Sequence, residues 1–214
     1  ASGGKLGGFI LFSRNFDTVR ELSELNRSLV SAFPAKMPPW IGVDQEGGRV
    51  ARLPWPVARL PAMRALGEID DSKLTQQAAS VLGAQLACLG FNLDFAPVLD
   101  VDSNPANPVI GCRPFGADPD RVARHCLAFA TGLQQVGVAA CGKHFPGHGD
   151  TDLDSHLTLP RLGHDKRRLQ AEELIPFRSA SSTLASIMTA HVVFAAIDPA
   201  VPATLSPEAI SGLL

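Results

Sequence analysis

Short runs of consecutive apolar residues alternate along the chain with longer stretches in which apolar residues recur every three or four positions. The short runs predict β-strands, and the longer stretches predict amphipathic helices. Because the apolar residues of each short run are continuous rather than alternating, the runs are typical of parallel strands buried on both faces. Five such strands are predicted: Gly8–Phe12, Trp40–Val43, Leu93–Leu99, Val136–Cys141 and Ala185–Met188.

Capping residues, prolines and glycines mark where the intervening helices begin and end. The predicted helices run from about Asp17 to Pro34, over Leu74–Leu89, from Asp118 to Gly137, from about Asp165 to Pro176, and onward from Ser206. We expect the fourth of them to break at Pro176, because proline removes a helical hydrogen bond. The Pro/Gly-rich stretch 38–61 is predicted to be a strand followed by a long loop. Strands that alternate with helices indicate βαβ units and the α/β class.

A polar cluster follows each predicted strand at its C-terminal end. In a (β/α)8 TIM barrel, all of these ends open onto the one face that holds the active site. In an open doubly wound sheet they line a crevice instead, so the pattern alone fits both architectures. Loops are also polar for reasons unrelated to function. The clusters are Ser13–Asn15, Asp44–Glu46, Asp100–Asp102, Lys143–His144 and Thr189–His191.

Composition narrows the class of protein. The 214 residues are 45% hydrophobic, and 19 Lys+Arg against 21 Asp+Glu give a formal net charge of −2, which leaves no positive excess to bind nucleic acid. No apolar run approaches the about 20 residues that span a bilayer, and the first residues lack the pattern of a secretory signal. The four cysteines form no CxxC pair, and Cys88 and Cys126 fall at apolar helix positions. We therefore expect one domain in a soluble, cytoplasmic protein without a membrane or nucleic-acid partner.

The segment from Lys143 to His156 holds three histidines and three aspartates. Asp154 and His156 are two residues apart, so in an extended stretch their side chains project to the same side. A carboxylate that orients an imidazole makes a general acid/base, although an isolated D-x-H is more often a pair of solvated loop residues. Metal binding is an alternative, because His144, His148, Asp150 and His156 are zinc or iron ligands by residue type. Their spacing is not that of an HExxH helix, and we expect no metal.

Two further segments combine charge with glycine. Asp44 follows a predicted strand and precedes Gly47 and Gly48, where the backbone can approach a substrate closely; the alternative is a surface turn with a buried salt bridge. Arg113 lies in a loop bounded by proline and glycine, and by itself it is expected to be solvated. We assign no function to His125, which falls within a predicted helix, or to His164, which falls in a polar loop.

Four motifs occur in an order that resembles a known family: DQEGGRV (44–50), FAPVLD (95–100), KHFPGHG with DSH (143–149 and 154–156), and AHV (190–192). The chain is similar, over essentially its whole length, to the glycoside hydrolase family 3 β-N-acetylhexosaminidases of the NagZ type. The combination of KHFPGHG and DSH is highly specific, because the related β-glucosidases of the family lack the DSH loop.

The resemblance implies a TIM barrel that removes terminal β-N-acetylglucosamine with retention of configuration. The implied substrate is the GlcNAc–1,6-anhydroMurNAc muropeptide of bacterial cell-wall recycling. His156, oriented by Asp154, is implied as the general acid/base, and no cofactor is required. A histidine in that role carries no negative charge and does not repel an anion. Both water and phosphate therefore remain open as acceptors. The residues implied to bind the sugar are Asp44, Arg52, Arg113, Lys143, His144 and His191.

The chain also departs from the family pattern. The family nucleophile is an aspartate in an F-S-D-D-like motif, and no such motif occurs here. Five predicted strands stand against the eight of a closed barrel, which typically takes about 250 residues. We therefore expect an incomplete barrel that by itself binds sugar weakly and turns over little or no p-nitrophenyl β-GlcNAc, and a complete protein that is a monomer. A sugar-binding barrel remnant without chemistry and a metal-dependent hydrolase are the alternatives.

Overall fold

The computed structural model describes residues 6–153 and 157–213. Five strands form one parallel sheet in the order β1-β2-β3-β4-β6, and two short strands, β5 and β7, form a second parallel pair. The strands are β1 (Gly8–Leu11), β2 (Trp40–Val43), β3 (Leu93–Asp94), β4 (Ala139–Phe145), β5 (Arg161–Leu162), β6 (Ser186–Thr189) and β7 (Val193–Phe194). The five predicted strands are thus confirmed as neighbours, and the β5/β7 pair was not predicted.

Two strand boundaries differ from the prediction, and both differences affect the cleft described below. β4 begins at Ala139 and continues to Phe145, so Lys143 and His144 lie within the strand rather than after it. β3 is confined to Leu93–Asp94. The chain that follows β3 still bonds to β4, since Leu99 N–H donates to the Lys143 carbonyl (2.6 Å), but Pro97 has no N–H to extend a regular ladder.

Helices connect the parallel strands, as predicted for βαβ units. They are α1 (Val19–Ser31), α2 (Met63–Ile69), α3 (Ser72–Cys88), α4 (Pro119–Gln134), α5 (Lys166–Ala171), α6 (Leu174–Ala180) and α7 (Pro207–Ile210). The predicted caps at Asp118 and Ser206 are confirmed, since both side chains accept hydrogen bonds from first-turn N–H groups. No helix of the described residues is long and apolar enough to cross a membrane.

The helices depart from the expectations in three details. The short helix α2 was not predicted. The break between α5 and α6 falls at Glu172 and Glu173, and Pro176 lies in the first turn of α6, where no helical hydrogen bond needs its missing N–H. Cys88 is exposed at the end of α3, whereas Cys126 is buried as expected.

Glycine allows α3 and α4 to pack closely outside the sheet. A methyl group at Gly132 would come within 2.3 Å of the Gln76 carbonyl oxygen, which is backbone and cannot move aside cheaply. We therefore predict that Gly132→Ala lowers the free energy of unfolding by about 1–3 kcal/mol, measured by urea denaturation. Gly163→Ala is the control, because no atom lies within 4 Å of the added methyl group. Equal urea midpoints for the two variants would contradict the packing argument.

Candidate active site

The C-terminal ends of the parallel strands border one cleft of about 710 Å³. The parallel arrangement explains this, because the residues that follow or end β2, β4 and β6 reach the same edge of the sheet. The cleft is lined by all six residues that the sequence analysis assigned to sugar binding: Asp44, Arg52, Arg113, Lys143, His144 and His191. The structure therefore brings together residues that are up to 147 positions apart, the separation of Asp44 and His191 (191 minus 44).

A buried ammonium group lies at the floor of the cleft. Lys143 is 2% exposed, and its Nζ lies 2.7 Å from Asp44 Oδ1 and 2.6 Å from Glu46 Oε1. The strand supplies Lys143, and the loop after β2 supplies both carboxylates. A fully buried lysine needs such partners, because an unpaired charge away from water is costly.

Arg113 forms a two-pronged ion pair with Glu46. Its Nε donates to Oε2 (2.8 Å), and its Nη2 donates to Oε1 (2.7 Å). The Arg113 side chain is 10% exposed, so the interpretation of this arginine as solvated is wrong. The alternative interpretation of 44–48 as a turn with a buried salt bridge was right in one respect, because Glu46 of this loop forms buried ion pairs.

The charges of this cluster fix its ionisation. Burial by itself would raise the pKa of Glu46, but Lys143 and Arg113 outweigh burial and lower that pKa to about 2. Burial works against the charge of Lys143 as well, yet Glu46 and Asp44 raise the pKa of its ammonium group above the usual value. The cluster is therefore charged at neutral pH, with two anions against two cations.

His144 is held in one tautomer. Its Nδ1 lies 2.7 Å from Oδ2 of the fully buried Asp100, and its Nε2 lies 3.4 Å from Arg113 Nη2. Burial lowers the pKa of His144, although Asp100 acts in the opposite direction. The ring is therefore neutral, with its proton on Nδ1 and an acceptor lone pair on Nε2.

Asp100 is itself fixed by three donors. Besides the imidazole, the backbone N–H groups of His144 (3.2 Å) and His148 (2.7 Å) donate to its Oδ1. Burial would raise the pKa of Asp100, but the two histidines lower it to about 2. The carboxylate form is therefore the one that the fold stabilises.

A pH dependence follows from the Asp100 pKa. A carboxyl whose pKa is lower in the folded state contributes stability that is present above its unfolded pKa and lost as the pH falls towards the folded value. We predict that Asp100→Asn lowers the free energy of unfolding by about 2 kcal/mol at pH 6. The difference from the wild type should shrink between about pH 4 and pH 2, the interval set by the ordinary value of 3.8 and the folded value of about 2. Urea denaturation at pH 6 and pH 3 measures it, and a difference that does not change with pH would contradict the assignment.

Gln45 shapes the loop that carries the acidic residues. Its side-chain oxygen accepts from the N–H groups of Arg52 (2.7 Å) and Leu53 (3.2 Å), and its own N–H donates to Asp94 Oδ1 (3.0 Å). Gly47 has a φ of 108°, which a residue with a side chain rarely adopts. These contacts fold the loop back so that Asp44 and Arg52 line the same cleft.

His191 lines the opposite part of the cleft. Its Nδ1 lies 3.0 Å from the hydroxyl of Thr204, and that hydroxyl donates its single proton to the Ala190 carbonyl (3.0 Å). Nδ1 must therefore be the donor in this pair, which leaves Nε2 as an acceptor in the neutral ring. The imidazole of His191 is exposed at the cleft.

The first part of the loop after β4, residues 148–150, is held by hydrogen bonds from two other segments of the chain. Asn107 Nδ2 donates to the carbonyls of His148 (2.9 Å) and Gly149 (3.0 Å), and His164 Nε2 lies 2.5 Å from Asp150 Oδ2. His164, to which the sequence analysis assigned no function, thus contacts this loop. The predicted catalytic residues Asp154 and His156 lie outside the described residues.

The metal alternative depends on the same loop. The rings of His144 and His148 are 5.7 Å apart, and the nitrogen Nδ1 of each ring already has a hydrogen-bond partner, Asp100 and Thr151 respectively. Within the ranges 6–153 and 157–213, no group of three or more His, Cys, Asp or Glu side chains is arranged to hold a metal ion. His156, the third histidine of that hypothesis, is not among these residues.

Sequence reasoning did not assign roles to Glu46 or Asp100, which organise the cleft. Both belong to the polar clusters found at the strand ends, so their position was a usable signal. Which oxygen faces which cation could not be predicted, because the partners Lys143 and Arg113 are distant in sequence.

Comparisons with known proteins identify the family of this chain. The model of the family described as glycosyl hydrolase family 3 N terminal domain matches residues 2–214. A beta-hexosaminidase of Neisseria meningitidis serogroup C is 44% identical over 201 residues, which cover 90% of this chain and 55% of that protein. A beta-hexosaminidase of Nitrosomonas eutropha is 42% identical over 217 residues, which cover 98% of this chain and 61% of that protein. The chain thus spans somewhat more than half the length of these relatives.

Two solved structures have the same fold. A glycoside hydrolase family 3 beta-N-acetylglucosaminidase from Paenibacillus matches with a TM-score of 0.93 and 45% identity, covering 97% of this chain and 40% of that one. NagZ from Neisseria gonorrhoeae, in complex with N-trifluoroacetyl-D-glucosamine, matches with a TM-score of 0.91 and 40% identity, covering 97% of this chain and 62% of that one. The predicted α/β barrel architecture, present in part, is confirmed.

Proposed function

The chain belongs to glycosyl hydrolase family 3, and on that premise we propose that the full-length protein is a retaining exo-β-N-acetylglucosaminidase. One observation carries the proposal: Asp44, Lys143, Arg113 and His144, although distant in sequence, converge on one cleft with fixed charges and a fixed tautomer. Such a cleft offers both donors and acceptors to the hydroxyl groups of a sugar. The relatives named above, including one solved with an N-acylated glucosamine, support the choice of sugar.

Within this proposal, each side chain binds by its chemistry. The outer oxygen of Asp44 accepts from a sugar hydroxyl, while Lys143 and Arg113 donate to hydroxyl oxygens. His144 Nε2 and His191 Nε2 act as acceptors, as their tautomers require. Arg52 lines the same cleft and adds a further donor.

His156, oriented by Asp154, is proposed as the general acid/base. A histidine suits this role because its unperturbed pKa lies near neutrality, so it can give a proton to the leaving group and later take one from the acceptor. Most retaining glycosidases use a carboxylic acid for that step and a second carboxylate as nucleophile. The nucleophile is not among the residues assigned here, since the 214 residues hold no F-S-D-D-like motif.

The proposed substrates are peptidoglycan fragments that end in β-GlcNAc, above all GlcNAc–1,6-anhydroMurNAc muropeptides, cleaved in the cytoplasm by a monomeric protein. No cofactor is required. Water is the proposed acceptor; because a neutral imidazole does not repel an anion, phosphate is the acceptor that must be tested against it.

The test uses the full-length protein with p-nitrophenyl β-GlcNAc and p-nitrophenyl β-glucoside, with and without phosphate. We expect p-nitrophenol release from the first substrate at least about 100-fold faster than from the second, in line with the selectivity of a site built to bond a polar group. NMR should show the β-anomer of GlcNAc as the first product. Binding of GlcNAc without turnover would instead favour a non-catalytic sugar-binding protein, and formation of GlcNAc 1-phosphate would favour phosphorolysis.

A further inference from the structure

Among the described residues that line the cleft, Glu46 is the one carboxylate that joins two cations. Its Oε1 receives both Lys143 Nζ (2.6 Å) and Arg113 Nη2 (2.7 Å), and its Oε2 receives Arg113 Nε (2.8 Å). Only 1% of Glu46 is exposed, so its oxygens face its partners rather than a ligand. We propose that Glu46 is the positioning residue of the sugar site, holding Lys143 and Arg113 in the charged and oriented state in which they bind sugar hydroxyls.

The fold of the loop does not depend on the Glu46 side chain. Gln45 fixes the loop through its own side chain, and the N–H groups of Gly47 and Gly48 donate to the carbonyls of Val50 (3.1 Å) and Leu60 (2.9 Å). The Glu46 carboxylate contacts Lys143 and Arg113, and both of these line the cleft. Its role is therefore to act on the two cations rather than to hold the loop.

Charge balance gives this role a measurable consequence. Asp44 and Glu46 offset Lys143 and Arg113, so removal of the Glu46 charge leaves Lys143 paired with Asp44 and takes the direct ion pair away from Arg113. Lys143 is also faced by Asp94 at the end of β3 and by His144 and Cys141 on its own strand. None of these replaces Glu46: burial raises the pKa of Asp94 well above its usual value, burial lowers that of His144, and burial raises that of Cys141. Burial therefore disfavours the charged form of all three side chains.

Without Glu46, burial therefore acts on Lys143 against a single partner, Asp44. The ammonium group then loses its proton at a lower pH, because desolvation disfavours the charged form of a lysine. Arg113 stays charged at any accessible pH but loses both of its bonds to the carboxylate, and its guanidinium is then held only by the longer contacts with the Val109 carbonyl (3.3 Å) and His144 Nε2 (3.4 Å) among the described residues. Sugar binding should weaken for both reasons.

The test is Glu46→Gln in the full-length protein, a substitution that keeps the shape and removes the charge. We expect KM for p-nitrophenyl β-GlcNAc to rise about tenfold or more, and the alkaline limb of the kcat/KM profile to move to lower pH by at least about one unit. Glu173→Gln is the matched control, because Glu173 is equally buried but does not line the cleft. A Glu46→Gln protein with wild-type KM and a wild-type pH profile would overturn the proposal.

Glu46→Asp separates the effect of the negative charge from the effect of side-chain length. It also provides a second test if Glu46→Gln does not fold. The shorter carboxylate keeps the charge but cannot span both cations, so the alkaline limb should stay in place while KM rises. An unchanged KM in Glu46→Asp counts against the proposal.

The inference rests on the proposed function only through the substrate assay. A ¹³C NMR titration of the Lys143 side chain, assigned with Lys143→Arg, reports the same change without any substrate. If the wild type does not hydrolyse β-GlcNAc but Glu46→Gln still lowers the pKa of Lys143, the proposed function fails and the positioning role stands. If hydrolysis occurs and the Lys143 titration does not move, the positioning role fails alone.

Discussion

Replacing His156 with alanine in the full-length protein is expected to lower kcat/KM for a β-N-acetylglucosaminide with a poor leaving group by about 10²–10⁴-fold. A sugar or alkyl leaving group departs as an alkoxide of high energy unless an acid protonates it. A 2,4-dinitrophenolate is stable without that proton, so the variant should lose much less activity on the 2,4-dinitrophenyl glycoside. The measurement is kcat/KM for a disaccharide and for the dinitrophenyl glycoside, with both proteins.

Two further variants make this result specific. Asp154→Ala should show the same dependence on the leaving group, because it removes the residue proposed to orient His156. His191→Ala should reduce kcat/KM by a similar factor on both substrates, because a residue that binds the sugar acts before the bond breaks. If His156→Ala loses equal activity on both substrates, His156 is not the acid.

Lys143→Met is expected to abolish sugar binding and to lower the free energy of unfolding by about 3–5 kcal/mol. The methionine is similar in length but leaves the buried Glu46 and the partly exposed Asp44 with only Arg113 to balance two carboxylates. Since the pKa of Lys143 is raised in the folded state, its contribution is present below its unfolded pKa and is lost only as the pH rises through the folded pKa. The loss of stability should therefore be fully visible at pH 7.

Urea denaturation at pH 7 and calorimetry with GlcNAc measure the two effects. Lys36→Met is the control, because Lys36 is exposed and substitutions at such positions change stability by no more than about 0.5 kcal/mol. A Lys143→Met protein as stable as the control would contradict the inference that the ion cluster contributes to the free energy of unfolding.

The sheet could be predicted from local signals because each strand is a continuous apolar run. Helix starts were predictable for the same reason, since Asp118 and Ser206 cap the next turn through contacts within three residues. Helix α2, which contains Gly67, was not predicted from the sequence. In the structure, that glycine is required where a methyl group would meet the Phe115 carbonyl oxygen at 1.7 Å. A contact between residues 48 positions apart decided the local conformation.

The sequence was sufficient to predict which residues line the candidate site, but not which ion pairs they form or how deeply they are buried. The motifs around Asp44, Lys143 and Arg113 are recognisable along the chain. That Arg113 is buried, and that Glu46 joins it to Lys143, depends on pairs separated by 67 and 97 positions (113 minus 46, 143 minus 46). Local sequence assigned Arg113 to solvent because no neighbouring residue offers it a carboxylate.

The most direct test is a crystal structure of the protein with GlcNAc bound. We predict that the sugar ring lies in the cleft at the C-terminal ends of β2, β4 and β6, with hydroxyl oxygens within hydrogen-bond distance of Asp44, Lys143 and His144. The sugar found elsewhere on the surface, with the cleft holding only water at saturating GlcNAc, would contradict the assignment of this cleft as the sugar site.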